Sequence, residues 1–175
     1  MSVTLHTVSG GADLDAVRAL CWAYRDFLLQ NSEVDRNITE TFYPREVYAA
    51  LMDRLAEAHA RPQGVILLAR HEGRPVGCGM SHALDTDTCE IKRVFTLPEA
   101  RGAGVAGAIC QRLVEQARAD GFGRVVLDTS AHLPAAQRLY ARLGFHARGP
   151  YQPIPPEALP HLLFFEYPLS DPPAC

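Results

Sequence analysis

Residues 101–107 read Arg-Gly-Ala-Gly-Val-Ala-Gly, and the G-x-G-x-x-G spacing inside them restricts the fold more than any other stretch of the chain. Glycines so spaced remove side chains from a turn and let its backbone approach an anion. A helix follows, because Val105, Ile109, Leu113 and Ala117 recur every four residues and Asp120-Gly121 ends the pattern. The first N–H groups of a helix lack internal partners and carry the positive end of its dipole, so the turn is suited to phosphate. A dinucleotide fold would run a strand almost directly into the first glycine, and Asp128 would then hold the ribose. Here Leu97-Pro98-Glu99-Ala100-Arg101 intervenes, and only residues 129–175 remain for the other strand–helix units of that fold. A Walker loop fails too, since no Lys-Ser or Lys-Thr follows the glycines.

What precedes the turn argues against a doubly wound sheet. Gly64–Ala69 is a short apolar run, His71-Glu72-Gly73-Arg74 a hairpin turn, and Pro75–Ser81 a second strand. A turn near Asp85–Asp87 leads to a third strand, Cys89–Thr96, completing an antiparallel meander. Upstream, Val3–Val8 alternates as a strand, and Leu14, Val17, Leu20, Cys21, Tyr24, Phe27 and Leu28 mark a helix to about Gln30. NSEVDRNITETF reads as a loop, and Pro44 opens a helix carried by Val47, Leu51 and Leu55. Downstream come a strand at Val125–Leu127 and a helix from Pro134 with Leu139, Tyr140 and Leu143. Gly144-Phe145 then begins another strand, a proline-rich loop covers 149–160, and Leu162–Tyr167 forms the last strand. The expected order is β-α-α-β-β-β-α-β-α-β-β. This is an α/β (α+β) chain with a single mixed, mostly antiparallel sheet flanked by helices, one domain over 1–170 with a frayed tail at 171–175.

Of the residues, 47% are apolar and 21% charged, with a formal net charge of −3. No basic block or basic helix face stands out, so nucleic acid is not expected as a partner. No stretch approaches the length of a membrane span and no charged leader precedes an apolar run, so a membrane is not expected and cytoplasmic residence is the default. The five cysteines form no C-x-x-C pair and the histidines show no ligand spacing, so no metal is expected. A homodimer is compatible with the sequence but not required by it.

Read as Arg101-x-x-Gly104-x-Ala106, the turn resembles the acetyl-CoA motif of the GNAT superfamily of N-acyltransferases. EIKRVFTLPEARGAGVAGAICQRLVEQA is similar to that superfamily's central strand, pyrophosphate turn and helix. LDTSAHLPAAQRLYARLGF is similar to its next strand, helix and closing Gly-Phe. The resemblance spans residues 3–168 and is strongest over 88–148. It implies acetyl-CoA as acyl donor and a small-molecule or peptide amine as acceptor, with attack in a ternary complex. The main chain of Val94, Phe95 and Thr96 would pair with the pantetheine arm as an added strand. The N–H groups of Arg101, Gly102, Ala103, Gly104, Val105 and Ala106 would hold the pyrophosphate.

For the chemistry, the resemblance puts Glu90 at the position of a frequent carboxylate base and Tyr140 at that of the acid that protonates the leaving thiolate. An N–H near Val94 would polarise the thioester carbonyl. One departure stands out. Leu133 occupies the place of a common asparagine contact to coenzyme A, with His132 beside it. Specificity is expected from the first two helices, the turn at 85–87 and Tyr151-Gln152-Pro153. Glu33, Asp35, Asp85 and Asp87 are acids able to attract a cationic amine, and His82 is the histidine nearest the expected cleft. Two rivals stay open: a non-catalytic acyl-CoA-binding module of the same fold, and the NAD-dependent oxidoreductase.

Overall fold

The computed structural model describes residues 2–169, and the expected tail at 171–175 lies outside them. Among these residues the strands are β1 (Val3–Thr7), β2 (Gly64–His71), β3 (Arg74–Ala83), β4 (Thr88–Thr96), β5 (Arg124–Ser130), β6 (His146–Arg148) and β7 (Leu162–Pro168). They form one sheet in the order β1-β2-β3-β4-β5-β7-β6, antiparallel except where β4 meets β5. The expected mixed, mostly antiparallel sheet is therefore present. The β2–β3 hairpin turns on Glu72 and Gly73, whose φ of 50° and 79° supply the left-handed pair a two-residue turn demands.

The helices are α1 (Gly11–Asn31), α2 (Glu33–Phe42), α3 (Arg45–Asp53), α4 (Leu55–Ala58), α5 (Val105–Ala119) and α6 (Pro134–Leu143). Between β1 and β2, four helices thus stand where two were expected. The segment expected as a loop is α2, capped by Ser32, whose Oγ accepts from the Asp35 N–H at 3.0 Å. Its inward positions are Asp35 and Thr39, both buried. A helix whose core-facing stripe is polar leaves no apolar period to detect. The stripe of α3 is also shifted. Tyr48 and Met52 are buried, whereas the expected Val47 is 46% exposed and Leu51 lies outside as well; the expected Leu55 is buried, at the head of α4.

Each face of the sheet carries a core. Val105, Ile109, Leu113 and Ala117 of α5 pack with Val65, Leu67, Val125 and Leu127 on one face. Val17, Leu20 and Cys21 of α1 pack with Ile66, Leu68, Met80 and Phe95 on the other. Gly79 in β3 lets α5 approach closely, because a Cβ there would lie 2.4 Å from Ile109 Cγ2 and 3.4 Å from Leu113 Cδ1. Replacing Gly79 by Ala overpacks this contact. It should cost about 1–3 kcal/mol, read as a lower denaturant midpoint at unchanged m-value.

Candidate active site

β4 does two things that open a cleft. Against β3 its register slips between Cys78↔Phe95 and Met80↔Lys92, so β4 carries one extra residue. Arg93 sits in this bulge with φ of 53°, a left-handed conformation that costs a non-glycine residue about 1–2 kcal/mol. Against β5, pairing ends at Glu90↔Val126 although β4 runs on to Thr96 and β5 to Ser130. Beyond Glu90 the two strands part. Neither Arg93 nor Val94 has a register partner on either side.

Between the strands lies a cleft of about 810 Å³, closed above by α1 and α2 and bounded by the glycine turn and the start of α6. Val94, Phe95 and Thr96 line it, as do Arg101, Gly102, Gly104, Val105, Ala106 and Tyr140. Ala103 and Glu90 are not among the lining residues. Gly102 and Gly104 adopt φ of 83° and 76°, so these two glycines answer a backbone demand. A Cβ on Gly107 would meet only Leu139 at an ordinary 3.8 Å, so the third glycine of the fingerprint answers none.

Several features suit this cleft to an acyl-CoA. The first helical bond of α5 runs from the Ala108 N–H to the Gly104 carbonyl, leaving the N–H groups of Val105, Ala106 and Gly107 without acceptors in the helix. Thr96 Oγ1 is buried with no partner beside the open edge of β4. The Arg101 guanidinium lies 5.0 Å from the centre of the Phe27 ring, which holds a cation at the turn. His132 and Leu133 both line the cleft. The His132 ring stacks near His161 at 5.9 Å.

The two expected chemical residues have different surroundings. Tyr140 is 7% exposed, packs edge-on to Phe145 and reaches the cleft from α6. Burial, then the charges of Cys110, Tyr24 and Asp128, push its phenol well above the ordinary value, so it stays protonated. Glu90 is 2% exposed and fully engaged. His82 Nε2 lies 2.7 Å from Oε1, the Tyr151 hydroxyl donates to Oε2 at 2.5 Å, and Lys92 Nζ stands 3.5 Å from Oε1. Burial alone would raise Glu90. His82, Lys92 and Tyr151 outweigh it and hold the carboxyl at about 2. A carboxylate so placed is a poor acceptor for an amine proton near neutral pH.

Asp128, which only the rejected nucleotide fingerprint singles out, lines the cleft from β5. Burial raises its carboxyl above the ordinary aspartate value, and Glu90 adds to this while Lys92 and Tyr151 work against it. Tyr24 of α1 lines the same space. Burial and Asp128 push its phenol up, and Arg93 pulls it back. The other expected acids divide. Asp35 reaches the cleft but is taken by Asn31 Nδ2 at 2.7 Å and Ser130 Oγ at 2.5 Å. Asp85 accepts from the N–H groups of Asp87 and Thr88 in its own turn, and neither it, Asp87 nor Glu33 lines the cleft. His82 is joined to Glu90 and stacks with His59 at 5.2 Å, behind the cleft rather than on it. Burial pushes the Cys89 thiol up to about 11, which removes the thiolate a nucleophile needs.

Among the described residues no group of three or more His, Cys, Asp or Glu is arranged to hold a metal ion. No described helix is long and apolar enough to cross a membrane. The model of the acetyltransferase (GNAT) family matches residues 31–145. The IAA acetyltransferase of Azospirillum brasilense is 36% identical over 131 residues, covering 73% of this chain and 84% of that protein. An N-acetyltransferase of Escherichia coli, YjgM, is 36% identical over 97 residues, which span 54% of this chain and 58% of that protein's length. Among solved structures, yncA of Salmonella typhimurium, determined with acetyl-CoA, superposes with a TM-score of 0.70 at 18% identity, over 100% of this chain and 98% of that one.

Proposed function

The chain belongs to the acetyltransferase (GNAT) family, and from that premise we propose that it moves the acetyl group of acetyl-CoA to a primary amine by direct attack in a ternary complex. The observation that carries this reading is the parting of β4 from β5 after Glu90, which leaves Val94–Thr96 with an open edge leading into the glycine turn. An extended pantetheine arm pairs with that edge as a strand would, while N–H groups from Arg101 to Ala106 take the pyrophosphate. The thioester then lies at the bulge, where the unpaired Val94 backbone is free to polarise the carbonyl.

In the reaction the amine nitrogen bonds to the carbonyl carbon and the carbon–sulfur bond breaks. The proton lost by the amine goes to Asp128, whose raised carboxyl is a better match to working pH than Glu90. The thiolate takes the Tyr140 proton, which solvent restores. Glu90 acts as a fixed negative charge that holds His82, Lys92 and Tyr151, of which Lys92 and Tyr151 also act on Asp128. The domain is read as one unit over 1–170, acting on a small molecule or peptide.

Calorimetric titration is the test. Acetyl-CoA should bind one-to-one and saturably, with NAD and NADH giving no heat. Gly104→Val forces a β-branched residue into φ of 76° at the head of α5 and should weaken acetyl-CoA binding about tenfold or more. Binding of NAD or NADH without acetyl-CoA would sink the acetyltransferase reading. Saturable acetyl-CoA binding without thiol release from any amine would favour the non-catalytic module.

A further inference from the structure

We infer that the acceptor amine also carries a carboxylate, and that Arg25 and Arg93 bind it. This rests on the proposed acetyl transfer, since it names the substrate class of the same site. Arg25 falls where an apolar residue is due, being the next i+4 position after Val17 and Cys21 on the buried stripe of α1. It is only 7% exposed. Its Nε donates to the Tyr43 carbonyl at the C-terminal cap of α2, at 3.1 Å. The remaining guanidinium nitrogens have no acceptor, and no carboxylate pairs with the group among the described residues. A buried cation without a counter-charge is costly unless a ligand supplies one.

Arg93, half-buried, adds a second cation. Its backbone is strained at φ of 53°, and its guanidinium also lacks an acid among the described residues. Strain of this kind concentrates at sites that use it. Both guanidiniums lie 6.0 Å from the centre of the Tyr48 ring, and both line the cleft. The remaining charges there are spoken for or lie elsewhere: Lys92 faces Glu90, Asp35 is bonded by Asn31 and Ser130, and Arg101 sits over Phe27 at the turn. What remains is a pair of guanidiniums and the Asp128 carboxyl. That pattern complements a zwitterion, with its amine toward Asp128 and its carboxylate toward the arginines.

The experiment compares free amino acids with their amides, their decarboxylated amines and their aminophosphonate analogues. Thiol release from acetyl-CoA is followed, and each probe is also titrated calorimetrically into protein saturated with coenzyme A. Free amino acids should exceed the amides by about 10- to 100-fold in kcat/KM and in affinity. Arg93→Gly suits the observed φ and should fold at least as well as the parent. It should erase most of that preference, raising KM for the free amino acids far more than KM for their amides. Arg25→Gln should act in the same direction. Equal use of amides and free acids, a preference for amines of net positive charge, or a preference surviving in Arg93→Gly would overturn the inference while leaving acetyl transfer intact. Tighter binding of the aminophosphonates would replace the carboxylate by a phosphonate-type anion. If no probe releases thiol, acetyl transfer fails, and the calorimetric ranking of the probes still decides the charge preference.

Discussion

Replacing Asp128 by Asn should lower kcat about 100-fold or more with acetyl-CoA affinity unchanged, the range expected when a positioned base is removed. The pH profile carries the sharper test. Asp128 must be ionised to accept a proton, and burial raises its pKa above the ordinary carboxylate value. The acidic limb of kcat/KM should therefore stand above the ordinary aspartate value and vanish in Asp128→Asn. Glu90→Gln should keep that limb but move it to lower pH, because Glu90 itself titrates at about 2 and its charge helps to raise Asp128. Stability should move the other way from activity. A carboxyl whose folded pKa is raised binds its proton more tightly in the native state, so the stability it lends is lost as pH rises through that pKa. Above it, Asp128→Asn relieves the cost of a buried charge and should raise Tm. A limb retained in Asp128→Asn and lost in Glu90→Gln would return the base role to Glu90.

Tyr140→Phe removes one hydroxyl from the wall of the cleft while keeping the ring that packs against Phe145 and Phe165. Folding should be little affected. In the proposed reaction this hydroxyl protonates the leaving sulfur, so its loss should be felt as charge develops there, lowering kcat by about 10- to 100-fold with little change in KM for acetyl-CoA. Because the phenol is held protonated, no new limb should appear in the pH profile below its high pKa. An unchanged kcat would remove Tyr140 from the chemistry and leave it a packing residue.

Much of the fold was legible because hydrophobic spacing and turn chemistry agree along most of the chain. The meander, α5, the Pro134 helix and the Gly144 turn follow from apolar periods bounded by Gly and Pro, and each is present. The second helix was not legible, since Asp35 and Thr39 occupy its buried stripe, with Asp35 bonded across the fold by Ser130. The site divides similarly. The glycine turn and Tyr140 stand in recognisable local motifs. Asp128 was visible only as a false ribose ligand, and Arg25 only as a charge interrupting the Val17–Cys21 stripe.

The sequence by itself determined a phosphate-seeking turn ahead of a helix, because left-handed glycines and unpaired N–H groups are properties of six adjacent residues. It determined a mixed sheet on the same local grounds. Only the tertiary structure decided which acid meets the cleft. Glu90 and Asp128 lie on neighbouring strands 38 positions apart in the chain, and their pKa values diverge through groups brought in from β3, β4 and the loop after β6. Burial and through-space charge are sums over the whole fold, and no stretch of sequence contains them.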